Sequence, residues 1–423
     1  MNITYTYIKK TCNKLVIMQK PITENFEFFE FAHAIAANNI NFIIKLWLTG
    51  NKEMQYLLEK YLKSLNDKNF HYGLLYKKRK IMSLKKKQKL ILLKKFPNVE
   101  YIKFTFNNRK TTDFIKYIPK SIKVLYLENY KIQDSEINSL PENLIDLKIN
   151  AKKLTSASVL SQKLINCDLS DCQNLANKFF ENILENVTIL YLDNLSIVEF
   201  KFKPLENLNL LGLSLSNGNI KTFIVENCPN LQILYIYRQQ LEHFPESILE
   251  FTNLKKLNLY NNKIIHIPNE ISQLQNLNQL NLSKNEIVEI SPAILELSNL
   301  EMLDLSHNHI SKVFILNSKL QNLKTLQLNY NQIAEIYLEL PKLEIFNIIE
   351  NPIIQGNFDI PRRTLIDVLS IFQNIINRWN IHGRNFPNIN NIQSVQNVIN
   401  IINSNLSLPR LTMKTITNTI LKK

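Results

Sequence analysis

The sequence is poor in the residues that build phosphate-binding loops and metal centres. Only six of its 423 residues are glycine, and none of them falls in a GxGxxG or GxxxxGK[ST] pattern. Because a loop that cradles phosphate needs several residues without a Cβ, we expect no nucleotide binding through those motifs. His307 and His309 lie two apart, yet no Cys or acidic partner completes a metal-ligand pattern. We therefore expect neither a metal ion nor a cofactor.

Cysteines and long apolar runs are also scarce. The four cysteines, at positions 12, 167, 172 and 228, show neither CxxC spacing nor a small disulfide-rich framework, so a reducing compartment is expected. There is no run of about 18 apolar residues and no secretory-signal pattern, so we expect neither a membrane span nor export. A cytoplasmic protein is predicted. The abundance of Lys, Asn and Ile is typical of an AT-rich genome, and for a virus or intracellular symbiont the compartment would be the host cell.

Positive charge is concentrated in one segment. The formal net charge is +15, and residues 77–95 carry ten Lys or Arg residues and no acid. We interpret this segment as a helix with solvated Lys side chains, whose leucines dock on the following repeats. Nucleic acid and anionic membrane surfaces are alternative partners. The candidate basic patch consists of Lys77, Lys78, Arg79, Lys80, Lys85, Lys86 and Lys87.

An internal repeat dominates the rest of the chain. "LKKLNLYNNKI" from Leu254 is followed by "LNQLNLSKNEI" from Leu277, "LEMLDLSHNHI" from Leu300 and "LKTLQLNYNQI" from Leu323. A last copy, "LEIFNIIENPI", starts at Leu343. Looser copies extend upstream to position 99, which gives about twelve repeats over residues 99–353.

These motifs resemble the leucine-rich repeat family, whose unit is LxxLxLxxNxL. The resemblance implies an α/β solenoid, curved as a horseshoe, with a parallel sheet on the concave side and short helices on the convex side. The Leu positions of each short strand would point into the core, and the repeated Asn would be buried and satisfy backbone groups. Pro245 and Pro268 would each suit the first turn of a convex helix.

The resemblance also implies where a partner would bind, because this family commonly uses the variable residues of the concave sheet. Tyrosine and arginine are favoured at interfaces, since they bury a large area and keep a polar group. The alternative is that these tyrosines only line a solvated sheet, for which they have high propensity. The candidate partner-binding residues are Tyr191, Tyr235, Tyr237, Arg238, Asn258, Tyr260, Asn261, Asp304 and Tyr330.

The residue composition and the hydrophobic pattern change on both sides of the repeats. Residues 1–95 are predicted as a helical N-terminal region, residues 96–356 as the solenoid, and residues 357–423 as a helical C-terminal cap and tail. After Pro361, apolar residues recur on one helical face. The N-terminal region also resembles F-box proteins faintly, although the usual opening Leu-Pro phrase is absent. That resemblance implies recruitment to a cullin-type ubiquitin ligase.

The sequence thus predicts a non-enzymatic scaffold that binds a protein partner on the concave face and uses no small-molecule cofactor. The alternatives are an F-box-like substrate receptor, or binding to an anionic surface through residues 77–95. A buried thiol at Cys167, which replaces a ladder Leu, is expected to be inert. The oligomeric state is left open by the sequence.

Overall fold

The computed structural model describes residues 4–11, 14–21, 101–105, 115–128, 136, 139–149, 154, 163–175, 186–202, 209–381 and 389–406. They belong to two compact units, Met1–Tyr130 and Lys131–Lys423. Residues 22–100 lie outside the described part. They include the predicted N-terminal helices, the F-box-like region and the whole basic patch, all of which stay predictions. The domain boundaries predicted at 95/96 and 356/357 also stay predictions.

The first unit contains two pairs of strands. Strands β1 (Thr4–Thr11) and β2 (Lys14–Pro21) form an antiparallel hairpin, which the sequence analysis does not predict within its helical region. Strands β3 (Tyr101–Thr105) and β4 (Val124–Glu128) pair in parallel at the positions predicted for the first two repeats. In β4 the two leucines of the repeat, Leu125 and Leu127, are fully buried.

The second unit contains a main parallel sheet and outer strands. Its strands, in chain order, are β5 (Asp146–Ile149), β6 (Asn166–Asp168), β7 (Ile189–Tyr191), β8 (Glu199–Phe202), β9 (Gly212–Ser214), β10 (Thr222–Val225), β11 (Ile233–Tyr235), β12 (Lys256–Asn258), β13 (Gln279–Asn281), β14 (Met302–Asp304), β15 (Lys312–Ile315), β16 (Thr325–Gln327), β17 (Glu335–Glu339), β18 (Ile345–Asn347) and β19 (Gln355–Asp359). Within the described residues of this unit, ten of them pair in parallel as the main sheet, in the order β5, β6, β7, β9, β11, β12, β13, β14, β16 and β18.

Each main-sheet strand lies where the repeat places Leu-x-Leu. Leu257 pairs in register with Leu234 on one side and Leu280 on the other, and all three are buried. Since successive side chains of a strand point to opposite faces, the residues between the leucines face solvent. Each fully buried Leu contributes roughly 1.5–3 kcal/mol, so one column of leucines stabilises the whole sheet. The predicted leucine-rich-repeat solenoid is confirmed.

The repeated Asn is buried and bonds to the backbone, as predicted. The amide of Asn308 donates to the carbonyls of Leu282 (3.1 Å) and Leu305 (3.0 Å), and its oxygen accepts from the N–H of Ile287 (3.0 Å). The same pattern holds at the other four positions of the column: Asn262, Asn285, Asn331 and Asn351. Each Asn therefore joins two neighbouring repeats where the chain leaves the strand.

Two upstream repeats that lack this Asn use another donor at the same place. The amide of Gln239 donates to the carbonyl of Leu215 (2.6 Å) and its oxygen accepts from Ile220 N–H (2.8 Å). The thiol of Cys172 donates to the carbonyl of Ile149 (3.4 Å). Because buried backbone groups must be satisfied, Gln239 and Cys172 each supply a bond that the missing Asn would make.

The outer side of the repeats differs from the predicted short helices. Three repeats of the second unit carry 3-10 helices, at Glu246–Glu250, Asn269–Gln273 and Pro292–Glu296, and Pro245 and Pro268 directly precede the first two. The first unit has a shorter one at Ile115–Tyr117. In five other described stretches the outer side is extended: β8 pairs with β10, and β15, β17 and β19 form a parallel sheet. Few residues remain in a repeat after the strand and its turn, and they suffice for one tight turn rather than an α-helix.

Two α-helices follow the last strand. Helix α1 (Arg362–Ile381) contacts β18 and helix α2 (Ile389–Leu406) contacts β19. The amides of Asn397 and Asn405 donate to the carbonyls of Ile353 (2.6 Å) and Phe358 (2.8 Å), which ties α2 to the last strand. Neither helix is long and apolar enough to cross a bilayer, and no other helix in the described residues is. The apolar face predicted for α1 is buried at Leu365, Val368, Leu369 and Phe372.

Candidate functional site

The solvent-facing side of the main sheet, here called the sheet face, carries the candidate binding residues. In β11, Leu234 is buried, whereas Ile233 and Tyr235 on either side of it are at least partly exposed. The alternation continues past the strand end, where Ile236 is buried and Tyr237 is half-buried. Each repeat therefore places three alternate residues on the solvent-facing side of the sheet, followed by one turn residue. This geometry places every predicted partner-binding residue of the strands on one surface.

Two of the predicted tyrosines flank a strand that has only small residues on this surface. Tyr191 pairs in register with Ser214, and Ser214 pairs with Tyr235. Because adjacent strands lie about 4.8 Å apart, the two tyrosine backbones are about 10 Å apart across the sheet. The same register places Gly212 between Ile189 and Ile233. The larger side chains thus form two walls, and we call the space between them the β9 furrow.

The floor of the β9 furrow consists of Gly212, Ser214 and Ser216, all of them buried beneath their larger neighbours. One carboxylate oxygen of Asp193 accepts from both the hydroxyl of Ser214 and the N–H of Ser216, each at 2.7 Å. The hydroxyl of Ser216 has no hydrogen-bond partner within the described part of the chain. The sequence analysis missed the furrow, although "GLSLS" signals it by placing a small residue at every outward position.

A second group of candidates lies beside the furrow. The guanidinium carbon of Arg238 is 5.9 Å from the ring centroid of Tyr260, and the Lys284 ammonium is 5.3 Å from the same centroid. Asn258 accepts from the N–H of Tyr260 (2.9 Å) and fixes the turn below the ring. A hydrogen bond to Lys284, together with the charges of Lys284 and Arg238, holds the pKa of Tyr260 below its ordinary value. The sequence analysis did not single out Lys284.

A regular row of left-handed backbone positions determines where these side chains stand. Arg238 (φ 55°), Asn261 (57°) and Lys284 (51°) occupy the same place in successive repeats. The N–H of each donates to a carbonyl of the next repeat; Lys284, for example, donates to Ser306 (2.9 Å). The backbone ladder thus continues past the strands and holds this row, here called the turn row, at regular steps. Its members are Asp171, Asn194, Asn217, Arg238, Asn261, Lys284, His307, Tyr330 and Glu350.

The remaining two candidates lie away from the furrow. Asp304 is on β14, and its carboxylate accepts from the N–H (3.0 Å) and hydroxyl (2.7 Å) of Ser306. The Tyr330 ring stacks on His307 at 4.3 Å with an interplanar angle of 12°. The structure therefore brings together Tyr191, Tyr235, Tyr237, Arg238 and Tyr260, and places Asp304 and Tyr330 further along the sheet.

The described residues offer little for redox or metal chemistry. Desolvation by burial raises the pKa of the Cys167 thiol above its ordinary value and that of Cys228 to about 12. Since the thiolate is the reactive form, these thiols are expected to be inert. His309 interacts with Gln332 (3.3 Å). No group of three or more His, Cys, Asp or Glu residues that could hold a metal ion occurs within the described residues.

Sequence-family comparison identifies the repeats. A leucine rich repeat family model matches residues 229–287 and 252–310, and a second model, for two copies of the repeat, matches residues 298–340. Residues 229–340 are leucine-rich repeats. The count of about twelve repeats stays a prediction, because the models match only this part. No curated protein matches the chain.

Several solved leucine-rich-repeat structures are similar to the chain. An internalin from Listeria monocytogenes is 22% identical with a TM-score of 0.44, and the match covers 63% of this chain and 84% of the internalin. A leucine-rich-repeat protein of Leptospira interrogans is 23% identical with a TM-score of 0.40, covering 63% and 76%. The Arabidopsis receptor kinase HAESA ectodomain, solved in complex with a peptide hormone, is 24% identical with a TM-score of 0.41, covering 58% and 45%. This chain thus spans less than half of that receptor ectodomain.

Proposed function

We propose that the chain is a non-enzymatic scaffold that binds a protein partner on the sheet face around the β9 furrow. The observation that carries the proposal is the register of Tyr191, Ser214 and Tyr235, which holds two accessible tyrosines on either side of a small-residue floor. Repeat solenoids offer extended surfaces of this kind to their partners. The alternative functions predicted for residues 1–95 rest on residues outside the described part.

Physical chemistry favours a protein ligand at this place. A tyrosine ring buries a large area at low cost in conformational entropy and keeps a hydroxyl for hydrogen bonding. Paired strands hold these rings before any ligand arrives, which reduces the entropy lost on binding. Tyr191 is 41% exposed, and Ile233 beside the furrow is 36% exposed, so apolar area remains to be covered. Asp193 and Asn258 supply a polar surrounding of the kind that limits binding to a matching partner.

The double change Tyr235→Ala plus Tyr260→Ala is expected to weaken partner binding by at least about 100-fold. Interface tyrosines of this kind contribute about 2 kcal/mol or more each when truncated, and each 1.4 kcal/mol is tenfold in affinity. The thermal unfolding midpoint should change little, because both side chains are partly exposed. Partners would be identified by cross-linking and mass spectrometry, and affinities then measured with purified proteins.

A matched control lies on the outer sheet of the same unit. Phe314 and Tyr337 stack there at 5.5 Å, so Phe314→Ala plus Tyr337→Ala removes two rings from a different surface. This control should leave partner affinity within about twofold of the unchanged protein. One contradicting result is that the unchanged protein and both double variants bind equally, and another is that both variants lose binding equally. Either result would show that the tyrosines of the sheet face do not bind the partner.

A further inference from the structure

Three neighbouring repeats give the sheet face a one-sided charge. The outward residues of β11, β12 and β13, counted as the three alternate residues and the following turn-row residue of each repeat, include three cations and no acid. The cations are Arg238, Lys256 and Lys284, and none of them forms an ion pair within the described residues. We call this area the cationic face. Its other outward residues are Ile233, Tyr235, Tyr237, Asn258, Tyr260, Asn261, Gln279, Asn281 and Ser283.

Acids elsewhere on the sheet face already have partners of their own. Asp168 forms an ion pair with Lys148. Asp193 accepts two hydrogen bonds from the repeat that follows it, and Asp304 accepts two from Ser306. These carboxylates are therefore engaged locally. The cationic face keeps its charge available for a group that is not part of the described structure.

The two cations of the turn row are held close to one ring. Arg238 comes from the repeat before Tyr260 and Lys284 from the repeat after it, and both lie over the Tyr260 ring. A cation over a ring at an exposed site contributes about 0.5–1 kcal/mol, which orders the side chain without neutralising it. The lowered pKa of Tyr260 shows that the local field favours negative charge at this place. The arrangement is suited to two carboxylates, one for each cation.

The geometry favours an acidic peptide over a nucleic acid. Binding of single-stranded nucleic acid relies on aromatic faces that are open for base stacking. Here cations cover the Tyr260 ring, and His307 covers a face of Tyr330. Affinity for nucleic acid also grows with the number of phosphates that Lys and Arg neutralise, and this face offers only three cations. An extended peptide advances about 3.3 Å per residue, so a few residues span the roughly 10 Å between the repeats of Arg238 and Lys284.

We propose that the cationic face binds an extended acidic segment of the partner protein. This proposal rests on the proposed function, and it adds the chemical class of the partner. Carboxylates of the segment engage Arg238 and Lys284 on either side of Tyr260, while Lys256 adds positive potential from the strand of Tyr260's own repeat. The neighbouring β9 furrow accommodates apolar side chains of the same partner.

The probe is a fluorescent hexaglutamate peptide, and the measurement is its dissociation constant for the full chain by fluorescence anisotropy at low salt. The test variant is Arg238→Asn plus Lys284→Asn. Asparagine already occupies the same left-handed position at Asn194, Asn217 and Asn261, so the change removes charge without backbone strain. We expect a loss of affinity of at least tenfold. The matched control, Lys312→Asn plus Lys324→Asn, removes two cations from other surfaces and should change affinity by less than twofold.

A charge-reversal variant tests the same proposal through a gain of affinity for a cationic peptide. Arg238→Asp plus Lys284→Asp uses a residue type that this row also contains, at Asp171. The reversed protein should bind hexalysine at least tenfold better than the unchanged protein, with a similar unfolding midpoint. An unchanged hexaglutamate affinity in the asparagine variant, with a loss in Lys85→Gln, Lys86→Gln, Lys87→Gln instead, would assign the binding to the basic patch and overturn the proposal.

Two further outcomes separate this proposal from other accounts. A single-stranded RNA oligomer that competes with hexaglutamate and binds more tightly through Arg238 and Lys284 would show that the cationic face is a nucleic-acid site. The second outcome is that the asparagine variant keeps its full affinity for the protein partner while Tyr235→Ala plus Tyr260→Ala loses it. In that case the proposed function would stand and the acidic segment would be wrong. If the asparagine variant and the tyrosine variant both lose affinity for the partner, the proposed function and the acidic segment are both supported.

Discussion

Replacing Asn308 with alanine is expected to lower the free energy of unfolding by about 3–5 kcal/mol. The change leaves the carbonyls of Leu282 and Leu305 and the N–H of Ile287 without the bonds they make to the Asn308 side chain. Asn308 is only 4% exposed, so water does not readily replace these bonds. Each buried backbone group left unsatisfied costs about 1–3 kcal/mol, and that penalty exceeds the small gain from removing a polar side chain.

Two matched changes isolate the cause. Asn299→Ala removes an exposed amide that donates to one carbonyl, that of Gln275 (2.8 Å), and should cost less than about 1 kcal/mol. Asn308→Asp keeps an acceptor for Ile287 but loses both donors and buries a charge, so it should be at least as harmful as alanine. Urea denaturation gives the free energies, and hydrogen exchange shows whether the loss centres on the repeats around Asn308, as nearest-neighbour coupling predicts. A cost for Asn308→Ala no greater than for Asn299→Ala would contradict this role.

Restoring the repeat consensus at Gly218 is expected to destabilise the protein by about 3 kcal/mol, although the family pattern places Asn there. A Cβ at residue 218 would lie 2.7 Å from the carbonyl oxygen of Leu195 and 2.9 Å from the side-chain oxygen of Gln239. Gln239 uses that space to reach the backbone of Leu215 and Ile220. Gly218 and Gln239 therefore form a compensating pair, in which the longer amide needs the missing side chain.

A double-mutant cycle measures this coupling. The variants are Gly218→Asn, Gln239→Asn and the combination, and the measured quantity is the free energy of unfolding. The shorter amide at position 239 relieves one of the two close contacts, so the double variant should be more stable than the sum of the single changes predicts, by at least about 1 kcal/mol. The Leu195 contact remains, and rescue should be partial. Additive costs would show that the two residues do not compensate.

The fold was predictable because its determinants repeat. One repeat, "LNLYNNKIIHIP", already distinguishes Leu257 and Asn262 as buried from Asn258 and Tyr260 as outward residues. Strand alternation alone separates these classes, and parallel pairing then places equivalent residues in columns. The outer side was less predictable. Sequence patterns of Ile and Pro suit a short helix, a 3-10 turn or an extended strand, and packing between neighbouring repeats decides among them.

The site was predictable as a list of outward residues, but not as an arrangement. Lys284 and Tyr260 belong to different repeats, and their approach depends on the left-handed turn, which no glycine marks in the sequence. The β9 furrow likewise depends on which repeats flank Gly212 and Ser214. A search of the sequence for tyrosines identifies the large side chains on either side of the furrow, but it does not identify the small residues between them. The stacked pair His307 and Tyr330 was missed for the same reason, since the residues are 23 positions apart.

The central claim is that a partner binds the sheet face beside the furrow. The most direct test places a photoactivatable phenylalanine analogue at Ile233 in one protein and at Phe314 in another, both exposed strand residues of the same unit. Irradiation with the partner present should give a covalent adduct from position 233 and none from position 314, with contact sites on the partner mapped by mass spectrometry. Adducts from position 314 alone, or equally from both positions, would contradict the claim.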